Sequence, residues 1–96
     1  MIVDNGAYSD KGPATLNFTS MMFAAHYNIP NVRYDAKIVY TNKQMGTAFR
    51  GFGNPQITFA CETQLDKLAE KIGMDPLEFR LKNANQPGQT TFSGAE

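Results

Sequence analysis

The residues best suited to chemistry lie in one glycine-rich loop, GTAFRGFGNPQ, at positions 46–56. Arg50 stands between Phe49 and Gly51, and Phe52 follows directly. A guanidinium presents its donors in a fixed fork that suits carboxylates and phosphates. The loop also runs into a predicted helix, and the free N–H groups of a helix N-terminus favour anions. The pattern predicts a site for an anionic or oxygen-rich ligand, with the ring of Phe52 free to face something flat.

Two common glycine-rich motifs do not fit this loop. A phosphate-binding P-loop ends in lysine followed by serine or threonine, and that ending is missing. The dinucleotide fingerprint requires another glycine spacing and an acidic residue at a set distance, and neither is present. The loop therefore predicts an anion-facing site of another kind.

The other reactive side chains have ordinary structural interpretations. The single histidine, His26, is predicted near the end of an apolar helix, hydrogen-bonded near the core or placed at the helix C-terminus. Cys61 falls on the apolar stripe of a helix, where a thiol packs as a small hydrophobe. Asp4 and Asp10 lack the spacing of a paired-carboxylate mechanism and are interpreted as caps or solvated charges. One cysteine and one histidine predict no metal site within this chain.

Composition sets the broad class. The chain has 96 residues, 42% of them apolar, with nine basic residues balanced by nine acidic ones. This balance gives no field that would attract nucleic acid. No apolar run approaches the length of about 20 residues that spans a bilayer, and the first residues lack the pattern of a signal peptide. We expect a globular, cytoplasmic piece with no nucleic-acid partner and no membrane span.

The elements before the loop are one helix and two strands. Two β-branched residues begin a weak strand within 2–8. The segment 13–27 predicts a helix that is apolar nearly all round, which is typical of a helix buried inside something larger. Strict alternation over 31–41 predicts the clearest strand, with one buried and one polar face.

The elements after the loop are two capped helices. Asn54 is predicted as N-cap, with Pro55 at the first helical position. Gly73 is predicted to close this helix in the left-handed conformation. Asp75 caps the next helix, with Glu78 placed for a capping box. The first of the two carries one apolar stripe, formed by Ile57, Cys61, Leu65, Leu68, Ala69 and Ile72.

These elements predict an α+β class, with short strands, about three helices and the character of a segment of a larger domain. An isolated strand pair is marginal, and the apolar helix at 13–27 needs neighbours that the chain does not supply. The alternative is that the protein oligomerises. Residues 1–83 form the predicted partial domain, and 84–96 are predicted as a loop or frayed tail.

The loop and its surroundings carry a family resemblance. The combination TN, a three-residue spacer and GTAFRGFGNPQ occupies 41–56, and LDKLAEKIGMDPLEFRLKN follows at 65–83. DNGAY at 4–8 and YNIPNVR at 27–33 fit the same stretch. This pattern resembles the molybdopterin-binding large subunit of the molybdenum hydroxylases, the xanthine dehydrogenase and aldehyde oxidase type of enzyme. Its form looks most like bacterial hydroxybenzoyl-coenzyme A reductases.

The resemblance implies roles for four loop residues. The arginine of the family's Arg-Gly-Phe-Gly loop approaches the molybdenum-molybdopterin cofactor, which here implies Arg50, aided by the backbone N–H groups of Phe49 and Gly51. The phenylalanine of that loop stacks against a planar substrate, which here implies Phe52. No catalytic residue is implied within this segment, and no residue here is implied as a metal ligand.

The resemblance also implies a reaction and partners. The family hydroxylates, or in some members reduces, planar aromatic, N-heterocyclic or aldehyde substrates. A glutamate serves as base, and electrons pass through iron–sulfur clusters to FAD on other domains or subunits. The cofactor carries the difficult chemistry while the protein orients it. The implied partners are the remainder of the large subunit, the iron–sulfur and flavin components and the substrate. The 96 residues alone are then expected to be inactive.

Three features of this sequence depart from the family pattern and limit which functional residues and substrates the resemblance implies. The catalytic glutamate of the family lies in a Gly-x-Gly-Glu setting, and Glu96 in SGAE lacks that context, so it is not assigned. The cysteine ligands of iron–sulfur clusters are missing from the sequence. Xanthine-oxidising members bind substrate with an arginine whose ungapped equivalent here is Phe18, which argues against a xanthine-like substrate. Two other hypotheses remain at this point, a stand-alone anion-binding module and a purely structural or interaction domain.

Overall fold

The structure, a computed structural model, describes residues 1–94. This part of the chain has three helices and two short strands, which confirms the predicted α+β class. In chain order the elements are β1 (Ile2–Asp4), α1 (Gly12–Met22), β2 (Lys37–Val39), α2 (Asn54–Ile72) and α3 (Pro76–Asn83). None of the described helices is both long and apolar enough to cross a membrane. Glu96 lies outside the described residues.

The two strands form a parallel pair, with Val3 opposite Ile38 at its centre. The predicted extent of the second strand, 31–41, is wrong, because only three of those residues pair. β1 offers a partner of just three residues, so the ladder cannot extend further. The predicted alternation of burial is nevertheless present before and within β2. Val32, Tyr34, Ala36 and Ile38 are partly buried, whereas Arg33, Asp35 and Lys37 are exposed.

The first helix ends earlier than the sequence predicts. The pattern places its end at residue 27, but α1 stops at Met22. Phe23 N–H donates to the Thr19 carbonyl at 2.9 Å, and Ala24 then adopts a left-handed φ of 54°. A left-handed residue cannot continue a right-handed helix, so the chain turns away there.

The helix α1 is less buried than the sequence predicts. Only Gly12 and Thr19 are buried in α1. Phe18 remains 37% exposed and Met21 45%, because no described element covers that face. His26 lies beyond the helix and is exposed, so its predicted place near the core or at the helix C-terminus is wrong.

The second and third helices have the predicted bounds with one correction. The N-cap of α2 is Gly53, which has a left-handed φ of 92°, and Asn54 is the first helical residue. Gly73 closes α2 with a φ of 69°, as predicted. The Asp75 carboxylate accepts the Glu78 N–H at 3.0 Å, which confirms the predicted cap of α3.

The apolar core is small. Ala24, Ile57 and Ala69 are its buried apolar residues, at 7%, 4% and 0% exposure. α2 packs against both α1 and α3. The predicted stripe of α2 is only partly covered, since Leu68 is 48% and Ile72 58% exposed. Uncovered apolar surface on this scale is typical of a surface that meets another part of a protein.

The segment after α3 is irregular but attached. Tyr27 and Ala84 form an isolated antiparallel bridge. The Asn85 side-chain amide donates to the Ala25 carbonyl at 2.8 Å. The start of the predicted tail, 84–96, is therefore tied to the turn that follows α1.

Candidate functional site

The glycine-rich loop reaches α2 through three successive left-handed residues. Gly51 has a φ of 79°, Phe52 of 49° and Gly53 of 92°. A Cβ on Gly51 would lie 2.6 Å from Pro55 Cδ, so this position has no room for a side chain. Phe52 is a large residue in a region that residues with a Cβ rarely adopt. Such a conformation persists only where the surrounding structure imposes it.

Gly53 packs directly on α1. A Cβ built on it would lie 2.5 Å from Thr19 Cγ2, 2.9 Å from Thr15 Cγ2 and 3.1 Å from the Thr15 carbonyl oxygen. Glycine is therefore required here by space as well as by its φ. This contact sets the distance between α1 and the end of the loop.

Arg50 projects from the loop with its side chain exposed, and it forms no hydrogen bond or ion pair with any other described residue. Phe49 is 98% exposed. The backbone N–H groups of Phe49, Arg50 and Gly51 have no acceptor within the described chain. The loop thus offers a guanidinium fork and several backbone donors to an outside acceptor. This donor set fits an anionic, oxygen-rich group such as a phosphorylated pterin.

The N-terminus of α2 contributes fewer donors than the sequence predicts. Asn54 N–H donates to the Gly51 carbonyl at 2.9 Å, and Pro55 has no N–H. Ile57 N–H donates to the Gly53 carbonyl at 3.2 Å. The capacity to bind an anion therefore lies mainly in the loop before the helix, and the predicted use of the helix N-terminus is correspondingly reduced.

Phe52 meets a second aromatic side chain. Its ring is T-shaped to that of Phe18, with centroids 6.0 Å apart and planes at 83°. Phe52 is half-buried, and Phe18 keeps 37% of its surface exposed. The periodicity of the first helix predicts Phe18 only as a core residue. The signal that places it near the loop is the ungapped count from the family pattern.

The base of the loop is held by two aspartates. The Asp4 carboxylate accepts from Thr41 Oγ1 at 2.6 Å and from Gly6 N–H at 2.9 Å, and it pairs with Lys43 Nζ at 2.9 Å. Hydrogen bonds from Thr41, Lys43 and Gly6 lower the pKa of Asp4 to about 2. Asp10 Oδ2 accepts from the Thr47 hydroxyl at 2.7 Å. Both aspartates therefore have a structural role at the base of the loop.

A second polar group, the Arg80 cluster, joins α2, α3 and the turn after α1; it consists of Arg80, Glu62, Asp66 and Tyr27. Arg80 donates from Nε to Glu62 and pairs through Nη2 with Asp66, both at 2.7 Å. The Tyr27 hydroxyl donates to Glu62 at 2.7 Å. Burial opposes ionisation of Glu62, but the bonds from Tyr27 and Arg80 outweigh it and lower its pKa. Burial and the Glu62 carboxylate raise the pKa of Tyr27.

A cavity lies away from the loop. It has a volume of about 580 Å³ and is bordered by α2 and the turn after α1, with Tyr34, Ile57 and Cys61 in its wall. Neither Arg50 nor Phe52 lines it. Cys61 is half-buried there, in keeping with its predicted packing role. We take the loop as the candidate site, because it carries unused donors whereas the cavity wall is mainly apolar. Among residues 1–94, no group of histidine, cysteine, aspartate or glutamate side chains is arranged to hold a metal ion.

Comparison with known proteins gives a family match over most of the chain. The model of the molybdopterin cofactor-binding domain matches residues 1–84. The aldehyde oxidoreductase of Megalodesulfovibrio gigas is 50% identical over 95 residues, which are 99% of this chain and 10% of that protein. The large molybdopterin subunit of nicotinate dehydrogenase from Eubacterium barkeri is 46% identical over 94 residues, which are 98% of this chain and 22% of that protein.

A solved structure agrees with the sequence relatives. The aldehyde oxidoreductase of Desulfovibrio gigas superposes with a TM-score of 0.92 at 49% identity, covering 99% of this chain and 10% of that one. The chain thus spans between about a tenth and a fifth of the length of these relatives. These similarities support the prediction that the chain is a segment of a larger domain, and they count against the alternative of a stand-alone module. The finer likeness to hydroxybenzoyl-coenzyme A reductases stays a prediction.

Proposed function

The chain belongs to the molybdopterin cofactor-binding domain family, and we propose that it forms one wall of the cofactor and substrate site in the large subunit of a molybdenum oxidoreductase. The observation that carries this proposal is the exposed Arg50, which has no partner among the described residues. It stands on a loop whose last glycine, Gly53, is packed against α1. A fixed backbone that presents an unused guanidinium is a preorganised anion-binding arrangement.

Cofactor binding is assigned to three adjacent residues. The Arg50 guanidinium binds oxygen atoms of the molybdenum-molybdopterin cofactor, and the N–H groups of Phe49 and Gly51 donate to the same group. All three lie in the exposed part of the loop, before the turn that packs on α1. When bound, the cofactor supplies the redox chemistry, and the role of these residues is to hold and orient it.

Substrate binding is assigned to the aromatic pair. Phe52 faces a planar substrate, and Phe18 supports it edge-on at 6.0 Å. Phe18 stands at the position where the family resemblance implies an arginine in xanthine-oxidising members, so the aromatic pair itself offers no cation to an acidic heterocycle. The arrangement suits an aromatic or N-heterocyclic ring or an aldehyde better than a xanthine-like substrate.

The complete enzyme hydroxylates such a substrate or, in the opposite direction, reduces its hydroxylated form. The remainder of the large subunit supplies the glutamate base and the other walls of the site. Iron–sulfur clusters and FAD on other domains or subunits carry the electrons. We also propose a cytoplasmic location for the complete enzyme.

The test is Arg50→Ala in the full-length enzyme. We expect turnover or molybdenum content to fall about 100-fold, the scale for loss of one preorganised electrostatic donor. The free energy of unfolding of the cofactor-free variant should stay within about 0.5 kcal/mol of that of cofactor-free wild type, as for surface substitutions away from packed contacts.

Arg33→Ala is the matched control, because Arg33 is also exposed but is paired with Asp35 at 2.7 Å outside the loop. It should leave turnover and molybdenum content unchanged. Normal turnover together with full molybdenum content in Arg50→Ala would disprove the role of Arg50.

A further inference from the structure

We propose that Thr19 is a positioning residue for the glycine-rich loop. Its methyl group fixes Gly53, and its hydroxyl group fixes the orientation of that methyl. The effect on catalysis rests on the function proposed above, whereas the effect on the loop does not. Thr19 touches neither the cofactor nor the substrate in this proposal and acts only through Gly53 and Phe52.

The methyl contact is the closest one at the end of the loop. A Cβ built on Gly53 would lie 2.5 Å from Thr19 Cγ2, nearer than to any other atom beyond the two neighbouring residues of Gly53. Thr19 is 3% exposed, the second most buried polar residue of the described chain. Since packed interiors transmit small displacements, a change at this methyl is felt at Gly53.

The hydroxyl group of Thr19 is held from two sides. It lies 2.7 Å from the Leu16 carbonyl, to which it can donate, and 3.0 Å from the Tyr34 hydroxyl. The Tyr34 hydroxyl also lies 3.1 Å from Met1 Sδ, so either hydroxyl can be the donor in the Thr19–Tyr34 bond. A threonine in a helix divides its population between two rotamers. The bond with Tyr34 favours the rotamer that points Cγ2 at Gly53.

The turn of α1 that contains Phe18 and Thr19 positions both the ring of Phe52 and the backbone that carries Arg50. Phe18, the neighbour of Thr19, touches the ring of Phe52. Gly53, which Thr19 fixes, is bonded directly to Phe52, whose left-handed φ of 49° must be imposed by its surroundings. Any movement of Gly53 relative to α1 would therefore turn the Phe52 ring away from Phe18 and displace the backbone that carries Arg50.

Two substitutions of Thr19 separate its two groups in the full-length enzyme. Thr19→Ser removes Cγ2 and keeps the hydroxyl, whereas Thr19→Val keeps a methyl in that place and removes the hydroxyl. Ser20→Ala is the matched control, because Ser20 makes the same local bond, to the Asn17 carbonyl at 2.6 Å, without reaching the loop. All three variants change one small side chain of the same helical turn.

The first measurement is hydrogen–deuterium exchange of the peptide covering 50–57. Local opening sets exchange rates, so a looser loop end exchanges faster. We expect Thr19→Ser to raise the rate about five-fold, the scale for one buried methyl, and Thr19→Val and Ser20→Ala to change it less than two-fold. Equal rates in Thr19→Ser and wild type, or an equal rise in Ser20→Ala, would overturn the positioning role.

The second measurement is steady-state kinetics with benzaldehyde. Thr19→Ser should raise KM several-fold with little change in kcat, because the displaced ring of Phe52 weakens binding of a planar substrate. A general loss of folded enzyme would instead lower kcat and leave KM unchanged. Faster exchange with unchanged KM would support the positioning role and count against the proposed contact between Phe52 and the substrate.

Discussion

The rings of Phe18 and Phe52 meet edge to face, with centroids 6.0 Å apart and planes at 83°. Phe18 belongs to α1 and Phe52 to the loop before α2, so the contact joins two elements distant in sequence. Edge-to-face pairs stabilise a fold by about 0.5–1.5 kcal/mol, in addition to the stabilisation that comes from burying their surface area. The pair leaves part of Phe18 exposed beside the loop that carries Arg50.

The first prediction concerns this pair as a substrate wall. In the full-length enzyme, Phe52→Ala should raise KM for benzaldehyde between about two-fold and ten-fold, and Phe18→Ala should do the same. The loss of substrate-binding free energy in the double variant should be smaller than the sum of the losses in the two single variants. The difference, which is the coupling energy, should be about 1 kcal/mol. Steady-state kinetics of the four proteins measures this coupling.

Phe59→Ala serves as the control for that series. Phe59 lies on α2 and is 75% exposed, without a ring partner in the described chain. It should leave KM unchanged. Strictly additive effects of Phe18→Ala and Phe52→Ala would contradict a shared wall, and unchanged kinetics in Phe52→Ala would remove this residue from the site.

The second prediction compares two left-handed glycines. Gly73→Ala should cost about 1 kcal/mol in the free energy of unfolding, because its φ is 69° but no atom lies near the new Cβ. Gly53→Ala should cost about 3 kcal/mol or more, because steric overlap with Thr19 is added to the strain. Urea titration of the full-length variants measures both values.

The same pair of variants distinguishes a local effect from a functional one. Only Gly53→Ala should also reduce molybdenum content, since Gly73 is remote from Arg50 in the chain and caps the other end of α2. Equal destabilisation by the two substitutions would show that the close approach of Gly53 to α1 is unimportant.

The third prediction concerns the Arg80 cluster. Arg80→Ala removes the bonds to Glu62 and Asp66 and leaves a partly buried carboxylate without its cation. We expect a loss of about 1–2 kcal/mol in the free energy of unfolding, a value reduced for the partial exposure of the pair. Lys82→Ala is the control, because its pair with Glu78 is an exposed contact within α3. It should cost less than about 0.5 kcal/mol, and an equal loss in both variants would contradict the special role of Arg80.

The fourth prediction is a dependence on pH at Asp4. Its pKa is lowered from 3.8 to about 2 in the folded protein, so the unfolded chain takes up the proton first as pH falls. The stabilisation from Asp4 is therefore complete above its unfolded pKa and is lost as pH falls from about 4 towards 2. Urea unfolding of wild type and Asp4→Asn should differ by a constant amount between pH 5 and 8, with wild type more stable. The difference should shrink below about pH 4; a difference that stays constant down to pH 3 would contradict this account.

Local signals in the sequence predicted local structure well. The proline and aspartate at 75–76 placed the start of α3, and Gly73 placed the end of α2, because caps depend on a few neighbouring residues. The loop motif likewise marked Arg50 and Phe52 and carried the family resemblance. The error at α1 arose where apolar periodicity continued past the point at which Ala24 turns left-handed.

Strand extent could not be read from the same pattern. Alternation over 31–41 predicted correctly which side chains are covered from Val32 to Ile38, but not at Tyr40, which is 62% exposed. Pairing, in contrast, depends on the length of the partner strand. The sequence of one strand carries no information on how many residues of another lie beside it.

The sequence by itself determined which side chains and backbone donors the loop offers. An arginine between glycines and aromatic residues fixes the available chemistry, because donor type and backbone freedom are properties of the residues themselves. Tertiary structure alone decided that Gly53 lies against Thr19 and that Phe52 meets Phe18. Those contacts join residues far apart in the chain, and the packing of α1 on the loop brings them together.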